Sequence, residues 1–268
     1  MGLPAVHRRN VVVTATGKRI RLPDVPGVRH EQSWWDRGAR VAGIDEVGRG
    51  AWAGPVTFAA VVLPSDRRMY KLRDSKMLDA PRREELTERL RSFAVGIGLG
   101  HATNGEIDAL GMSEAMRLAA SRALEALPVR PDVYLVDGNW NMLAGVDQPV
   151  ETIVHGDARS ASIAAASIVA KVTRDAMMRS VCAAYPLYEF SSNKGYPSPP
   201  HVAALDRHGP CALHRHTWAP IRARTTPRLD LGLDWQRRST ARTADPDRRT
   251  HPADGPSVPA TDGDLRQP

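Results

Sequence analysis

The chain has 268 residues, of which 42% are hydrophobic and 25% charged, and its formal net charge is +7. This composition allows a sizeable core, and the positive charge favours a polyanionic partner such as nucleic acid. Two cysteines are too few for a disulfide framework, and no stretch approaches the roughly 18 apolar residues of a membrane span. A reducing, cytoplasmic location without membrane attachment is therefore predicted.

Composition divides the chain into three zones. Residues 1–37 form a mixed, basic N-terminal arm, and the sequence leaves open whether this arm is ordered or flexible. Residues 38–222 carry nearly all of the periodic apolar pattern and are predicted to form the folded domain. Residues 223–268 are rich in Arg, Asp, Pro and Thr. We expect this tail to be disordered, because it cannot bury enough apolar surface to offset the entropy lost on ordering.

Apolar runs and helical periodicity alternate within residues 38–222. In chain order, the pattern predicts strand 40–44, strand 56–63, helix 81–93, strand 94–102, helix 112–127, strands 133–136 and 151–154, helix 162–184 and a short helix after Pro200. Such alternation is typical of an α/β fold, in which helices cover the faces of a layered sheet.

Acidic residues follow three of the predicted strands. Asp45 and Glu46 follow the first strand, Asp137 follows the fourth, and Asp157 lies between the fifth strand and a helix. Each acid alone is explained by an exposed strand end or, for Asp157, by a helix cap. Ligands of α/β sheets gather at strand carboxyl ends, so the four acids together predict one shared site. Carboxylates so close would repel each other unless a divalent cation such as Mg²⁺ or Mn²⁺ lay between them.

The first pair of acids sets a geometric condition. Successive side chains of a strand point to opposite faces, so Asp45 and Glu46 can share a site only if the chain turns after Asp45 or Glu46 reaches back. The segment Val47-Gly48-Arg49-Gly50 is predicted to supply the turn, because glycine permits backbone conformations that other residues avoid.

These motifs resemble the signature of the ribonuclease HII family. The first motif lies at residues 43–50 and continues at 53–56, and further matches follow in the family's order at residues 74–76, 136–139, 156–157, 162–175, 194–197 and His201. The resemblance covers roughly residues 40–220. It implies a ribonuclease H-like fold, with a mixed central β-sheet flanked by helices and a small C-terminal helical portion.

The resemblance also implies a reaction. A member of this family would cleave RNA in RNA/DNA hybrids and incise duplex DNA 5′ to single embedded ribonucleotides, leaving 3′-hydroxyl and 5′-phosphate ends. Asp45, Glu46, Asp137 and Asp157 would be the catalytic residues and would bind the metal, Mn²⁺ or Mg²⁺, in a two-metal-ion hydrolysis. The resemblance further implies a monomer.

Substrate contacts are implied for five further residues. They are Gly48, Arg49, Gly50, Lys76 and Tyr196. The two glycines have no side chain to keep main-chain groups from the 2′-hydroxyl, which distinguishes RNA from DNA. Arg49 can grip a phosphate with two hydrogen bonds, Lys76 would lie on another phosphate, and Tyr196 offers a flat face to the sugar at the DNA–RNA junction.

Three departures from the family pattern bear on substrate binding and rate. Trp52 stands where a smaller or aliphatic residue is expected, and His155 replaces the usual lysine before Gly156 and Asp157. The segment 214–218 only loosely follows the family's sequence at that point. None of the three removes a catalytic acid. Two other functions stay open, namely a non-catalytic hybrid-binding protein and a structure-specific DNA nuclease on the same fold.

A second cluster of potential metal ligands lies near the end of the domain, at His208, Cys211, His214 and His216. Zinc accepts Cys and His ligands, but this spacing is not that of a standard zinc site. The preferred interpretation is a basic surface segment near the bound duplex, to which Arg215 also contributes.

Overall fold

The computed structural model describes residues 11–13, 19–21, 25–69, 72, 78–143 and 145–225. The strands are β1 (Val11–Val13), β2 (Arg19–Arg21), β3 (Val41–Val47), β4 (Val56–Val62), β5 (Gly96–Ala102), β6 (Val133–Asp137) and β7 (Val150–Ile153). The helices are α1 (Arg29–Trp35), α2 (Ala80–Phe93), α3 (Asn104–Leu110), α4 (Met112–Glu125), α5 (Ala161–Ser180), α6 (Phe190–Asn193), α7 (Pro199–His208) and α8 (Ala219–Thr225). Lys76 and residues 226–268, most of the predicted tail, lie outside the described residues.

A five-stranded mixed sheet forms the centre of the fold, with strand order β5-β4-β3-β6-β7. The first three of these strands pair antiparallel, and β6 and β7 run parallel to β3. All seven residues of β4 are buried, as in a strand covered on both faces. One apolar core lies on each face of the sheet. The predicted α/β fold is confirmed.

The parallel register places the predicted acids at one edge. Ile44 of β3 lies opposite Val136 of β6, so Asp45 and Asp137 follow at neighbouring positions. Asp137 in turn lies opposite Ile153, near the end of β7.

The predicted strands and helices correspond to β3 to β7 and to α2, α4, α5 and α7, with shifted ends. Helix α5 was expected to continue to residue 184 and ends at Ser180. The predictions missed α1, α3, α6, α8 and the β1–β2 hairpin. Helix α3 begins with a capping box between Thr103 and Glu106, a sequence signal that the apolar pattern alone did not reveal.

Part of the N-terminal arm packs against the domain through α1. The fully buried Glu31 accepts hydrogen bonds at one carboxylate oxygen from the Ser160 hydroxyl (2.6 Å), the Ser162 main-chain N–H (2.8 Å) and the Ser162 hydroxyl (2.6 Å). A carboxylate at this point is favourable, because the N-terminus of a helix carries unsatisfied N–H groups and a partial positive charge. Glu31 therefore joins α1 to the start of α5.

Helix α5 lies directly on β3, and a glycine allows the close approach. A Cβ atom at Gly43 would lie only 2.1 Å from the Ser162 main-chain carbonyl carbon and 2.3 Å from the Ile163 nitrogen. The helix is rich in alanine and serine on this side, and its residues from Ala161 to Ala170 are all buried. The small side chains bring α5 close enough to carry polar groups to the acidic edge of the sheet.

The C-terminal helices form a third apolar cluster that includes Phe190, Leu205, Ile221 and Ala53. This is the small C-terminal helical portion that the family resemblance implies. Among the described residues, no helix is both long and apolar enough to cross a membrane.

Gly43→Ala is expected to destabilise the protein by about 1–3 kcal/mol, because the added methyl group would press against main-chain atoms that cannot move aside alone. The measurement is thermal or denaturant unfolding. Gly105→Ala is the matched control. Its Cβ would come no closer than 3.9 Å to any atom, within α3, and alanine should stabilise this helix by about 0.5–1 kcal/mol. Wild-type stability in Gly43→Ala would contradict the close approach.

Candidate active site

A cleft of about 320 Å³ lies at the edge of the sheet where β3 and β6 end. Its lining consists of Asp45, Glu46, Val47, Gly48, Arg49, Gly50, Asp137, Ser167, Lys171 and Tyr196. Three predicted acids and four of the five predicted substrate contacts thus line one cleft. The fifth contact, Lys76, lies outside the described residues.

Asp45 is the most deeply placed acid of the cleft, with 7% of its surface exposed. Its carboxylate accepts a hydrogen bond from the Glu46 main-chain N–H at 2.8 Å and another from the Ser167 hydroxyl. Burial raises the pKa of Asp45 well above its usual value, and the charges of Glu46 and Asp137 raise it further. The site therefore concentrates negative charge that a bound cation would relieve.

The turn after the two acids lies within the predicted segment 47–50, but strand β3 is longer than predicted. Strand β3 continues through Asp45 and Glu46 to Val47, rather than ending at residue 44. The strand extends because residues up to Val47 keep their pairing with β4, where Val47 lies opposite Thr57. Glu46 lines the cleft nonetheless.

The other two acids lie on neighbouring elements. Asp137 ends β6, and its carboxylate accepts a hydrogen bond from the Gly156 main-chain N–H at 2.7 Å. Asp157 directly follows Gly156 in the 3₁₀ turn Gly156–Ala158, and only 4% of its surface is exposed. It does not line the cleft. In the part of the chain that the structure describes, no three His, Cys, Asp or Glu side chains are grouped as a ready-made metal site.

Beneath the cleft, Arg174 of α5 supports residues 48–54, here called the GRG loop. The guanidinium of Arg174 is fully buried and donates to the main-chain carbonyls of Pro55 at 2.8 Å, Ala53 at 3.0 Å and Lys194 at 2.9 Å. These contacts connect α5, the GRG loop and the segment before Tyr196.

Arg215 supports the same loop from the C-terminal side. Its fully buried guanidinium donates to the carbonyls of Gly48 at 2.6 Å, Arg49 at 2.9 Å and Gly54 at 3.1 and 3.2 Å. Burial lowers the pKa of Arg215, and the nearby charge of Arg174 lowers it further, to about 9. Two buried cations thus hold the main chain of the GRG loop.

Tyr196 closes the cleft beside this loop. Its hydroxyl accepts a hydrogen bond from the Gly48 main-chain N–H at 3.1 Å. The Arg174 guanidinium carbon lies 5.3 Å from the centre of the tyrosine ring, and Lys171 Nζ lies 5.8 Å from it. Such cation–π contacts orient the ring.

Sequence reasoning assigned no role in the cleft to Ser167, Lys171 or Arg174. A signal was present, since spacings of four and three residues place all three on one face of a helix. That face of α5 points towards the acids and the GRG loop. Arg215 offered no comparable signal, because it lies outside any regular element.

The three departures from the family pattern lie outside the cleft lining. Trp52 packs against the C-terminal apolar cluster, with the Arg224 guanidinium 5.6 Å from its ring centre. His155 is exposed and adopts a left-handed backbone conformation with φ 55°.

The expected basic surface segment is wrong for two of its residues. His214 and Arg215 are fully buried, whereas His208 and His216 are exposed. The side chain of His214 is buried because it packs against the aromatic rings of Tyr188 and Phe190.

Comparison with known proteins assigns the folded region to a family. A family model described as Ribonuclease HII matches residues 42–221, the region that contains the sheet, α5 and the cleft. The chain belongs to the ribonuclease HII family. Ribonuclease HII of Streptomyces avermitilis is 51% identical over 187 residues, covering 69% of this chain and 80% of that protein. Ribonuclease HII of Streptomyces griseus is 52% identical over 190 residues, with the same coverage. As a family member, the protein is a ribonuclease H enzyme.

Solved structures support the same fold. The ribonuclease H2 of Pyrococcus horikoshii is similar with a TM-score of 0.60 and 29% identity, covering 69% of this chain and 96% of that one. Bst-RNase HIII in complex with Mn²⁺ is similar with a TM-score of 0.56, and its 17% identity, over 69% of each chain, indicates a shared fold alone.

The two glycines at positions 48 and 50 are expected to respond differently to alanine. Gly48 has φ +92°, and its Cβ would lie 2.2 Å from Arg174 Nε, whereas nothing lies within 4 Å of a Cβ at Gly50. Gly48→Ala should therefore lower stability by about 1–3 kcal/mol. Gly50→Ala should leave stability within about 0.5 kcal/mol of wild type and weaken substrate binding. Unfolding curves and KM measure the two effects, and equal stability of both variants would contradict the geometry.

Asp45→Asn is expected to raise the Tm of the protein in chelator at neutral pH. Burial and the charges of Glu46 and Asp137 raise the pKa of Asp45. A carboxyl whose folded pKa exceeds its unfolded value costs stability in full above the folded pKa. This cost decreases as the pH falls below the folded pKa and is gone below the unfolded pKa. The gain in Tm should therefore shrink at lower pH.

The control for this experiment is Asp132→Asn, at the other end of β6. Hydrogen bonding to the Arg40 main-chain N–H lowers the pKa of Asp132, so this substitution should leave Tm unchanged or lower it. A decrease in Tm for Asp45→Asn under the same conditions would contradict the crowding of carboxylates in the cleft.

Proposed function

We propose that this ribonuclease H enzyme cleaves the RNA strand of RNA/DNA hybrids and incises duplex DNA 5′ to single embedded ribonucleotides, leaving 3′-hydroxyl and 5′-phosphate ends. It would act as a cytoplasmic monomer. The observation that carries the proposal is the placement of Asp45, Glu46 and Asp137 in the same cleft as the GRG loop and Tyr196. Groups suited to phosphodiester hydrolysis thus lie beside groups suited to reading a ribose.

Ribose recognition is assigned to the GRG loop and Tyr196. Gly50 is exposed and leaves the surrounding main chain open, while Arg49 is exposed with its guanidinium available for a phosphate. The 2′-hydroxyl both donates and accepts hydrogen bonds, so fixed main-chain groups can select it. Because Arg174 and Arg215 hold the loop from beneath, its polar groups need little reordering when the substrate binds.

A divalent cation fits the donor chemistry of the acids. Asp45, Glu46 and Asp137 supply carboxylate oxygens, which Mg²⁺ and Mn²⁺ prefer as ligands, and burial together with the crowding of these acids raises the pKa of Asp45. We assign Asp157 to the same set, since it directly follows Gly156, the hydrogen-bond partner of Asp137. Two bound ions would activate a water nucleophile and stabilise the leaving 3′-oxygen. Mn²⁺ accompanies a structural relative, Bst-RNase HIII.

The protein's own residues prepare this chemistry. The Ser167 hydroxyl and the Glu46 N–H hold the Asp45 carboxylate in place, and the Gly156 N–H does the same for Asp137. Lys171 lines the cleft, where its ammonium group can contact a phosphate, and it pairs with Asp175 at 2.7 Å. The carboxylates are therefore oriented before substrate arrives.

The proposal is tested with purified protein and labelled duplex DNA that carries one ribonucleotide, in Mg²⁺, Mn²⁺ or chelator. We expect metal-dependent incision 5′ to the ribonucleotide and none in an all-DNA duplex. Tight binding without incision would support a non-catalytic hybrid-binding protein. Equal cleavage of the all-DNA duplex would support a structure-specific DNA nuclease.

Asp137→Asn is expected to reduce kcat by about 100-fold or more and to spare hybrid binding, because metal stabilisation of the transition state is worth several kcal/mol. Asp132→Asn serves as the matched control, since Asp132 directly precedes the same strand, is half exposed and pairs with Arg40 away from the cleft. Near-normal turnover of Asp137→Asn in Mg²⁺ would contradict the carboxylate assignment.

A further inference from the structure

Two fully buried histidines lie behind the cleft and do not line it. His201 of α7 and His214 face each other with their Nε2 atoms 3.0 Å apart. The other ring nitrogen of His201 lies 2.8 Å from the Tyr196 carbonyl oxygen. The other ring nitrogen of His214 lies 2.9 Å from the Cys211 main-chain nitrogen, an N–H donor, and 3.2 Å from the Cys211 carbonyl oxygen. A continuous line of hydrogen bonds therefore runs from Cys211 to Tyr196.

The chemistry of the two ends fixes the direction of this line. A carbonyl oxygen can only accept, so His201 must donate from Nδ1 to Tyr196. A neutral imidazole has one donor and one acceptor, so His201 Nε2 accepts, and His214 must donate from its own Nε2. The Nδ1 atom of His214 is then the acceptor that the Cys211 N–H requires. One pair of tautomers with both rings neutral therefore satisfies the Tyr196, His201–His214 and Cys211 N–H contacts. The longer approach of His214 Nδ1 to the Cys211 carbonyl oxygen is then not a hydrogen bond.

The surroundings of the pair favour the neutral state. Burial lowers the pKa of His201, and burial together with the His201 ring lowers the pKa of His214 to about 4. The His214 ring centre lies 4.9 Å from that of Tyr188, and the His201 ring meets Phe190 edge-on at 5.5 Å. These aromatic rings hold both imidazoles in place, so the line of hydrogen bonds is rigid.

Tyr196 is consequently held at two points. His201 holds its main-chain carbonyl, and the Gly48 N–H donates to its hydroxyl. The first contact comes from outside the cleft and the second from the GRG loop. A shift of the carbonyl would move the ring relative to Gly48 and to the acids.

We propose that His201 and His214 are positioning residues, which set the placement of Tyr196 and thereby the selectivity of the cleft for single embedded ribonucleotides. This inference rests on the proposed role of Tyr196 at the DNA–RNA junction. Neither histidine touches the reacting atoms. The polarity of the two rings, rather than their volume, carries the effect.

Polarity can be tested separately from volume by amide replacements. In His201→Asn, the amide nitrogen takes the place of Nδ1 and can still donate to Tyr196, whereas His201→Gln extends past this position. Similarly, the amide nitrogen of His214→Gln can replace the Nε2 donor, whereas His214→Leu has no donor. Selectivity is measured as kcat/KM on duplex DNA with one ribonucleotide divided by kcat/KM on a long RNA/DNA hybrid.

We expect His201→Gln and His214→Leu to lower this ratio by about tenfold, mainly through KM for the single-ribonucleotide duplex, since one buried hydrogen bond is lost. His201→Asn and His214→Gln should keep the ratio within about twofold of wild type. An unchanged ratio in His201→Gln, or equal losses in both members of each pair, would overturn the inference.

Tyr196→Ala is measured alongside. If it leaves the ratio unchanged, the proposed role of Tyr196 fails and the inference fails with it. A loss in Tyr196→Ala but not in His201→Gln overturns the inference alone.

A second measurement needs no substitution. Long-range ¹⁵N NMR of the histidine rings in the full chain should report the Nδ1–H tautomer for one buried histidine and the Nε2–H tautomer for the other at neutral pH. Assignment to His201 and His214, respectively, is expected. The opposite tautomers, or a charged ring at either position, would overturn the inference even if every variant folded poorly.

Discussion

The contact between α5 and β3 is the constraint on which the site depends. Gly43 has no side chain, and the first half of α5 is built largely from small residues, so the helix lies directly against the strand. Glu31 fixes the start of this helix from α1. The same helix then carries Ser167 to Asp45 and Arg174 to the GRG loop. A wider spacing between helix and sheet would move both contacts at once.

Opposite charges are separated within the cleft. Carboxylates from β3 and β6 occupy one side, where burial and their mutual repulsion raise the pKa of Asp45. Two buried guanidinium groups lie beneath the other side, with their donors directed at main-chain carbonyls. Removing a charge from water is costly unless hydrogen bonds satisfy it. Hydrogen bonds to main-chain carbonyls of the GRG loop satisfy the two guanidinium groups and hold the loop in one conformation. The cleft thus combines a side that attracts cations with a rigid side that can meet phosphates and ribose.

The sequence predicted the main elements of the fold because apolar runs and helical periodicity report burial directly. It also predicted that Asp45, Glu46 and Asp137 meet, since parallel strands end at one edge of a sheet. The end of β3 was predicted too early because pairing with β4 continues through the two acids to Val47. Polar contacts between distant segments were harder to predict. Arg215 and the histidine pair act through main-chain atoms whose positions only the tertiary structure defines.

The most direct test of the account is anomalous X-ray diffraction from crystals of the protein equilibrated with Mn²⁺. We expect anomalous density within coordination distance of the carboxylates of Asp45 and Asp137, with Glu46 or Asp157 completing the ligand set. Loss of that density in Asp45→Asn crystals would agree with the account. Density confined to other sites, under conditions in which Mn²⁺ supports cleavage, would contradict the assignment of these carboxylates as the catalytic metal ligands.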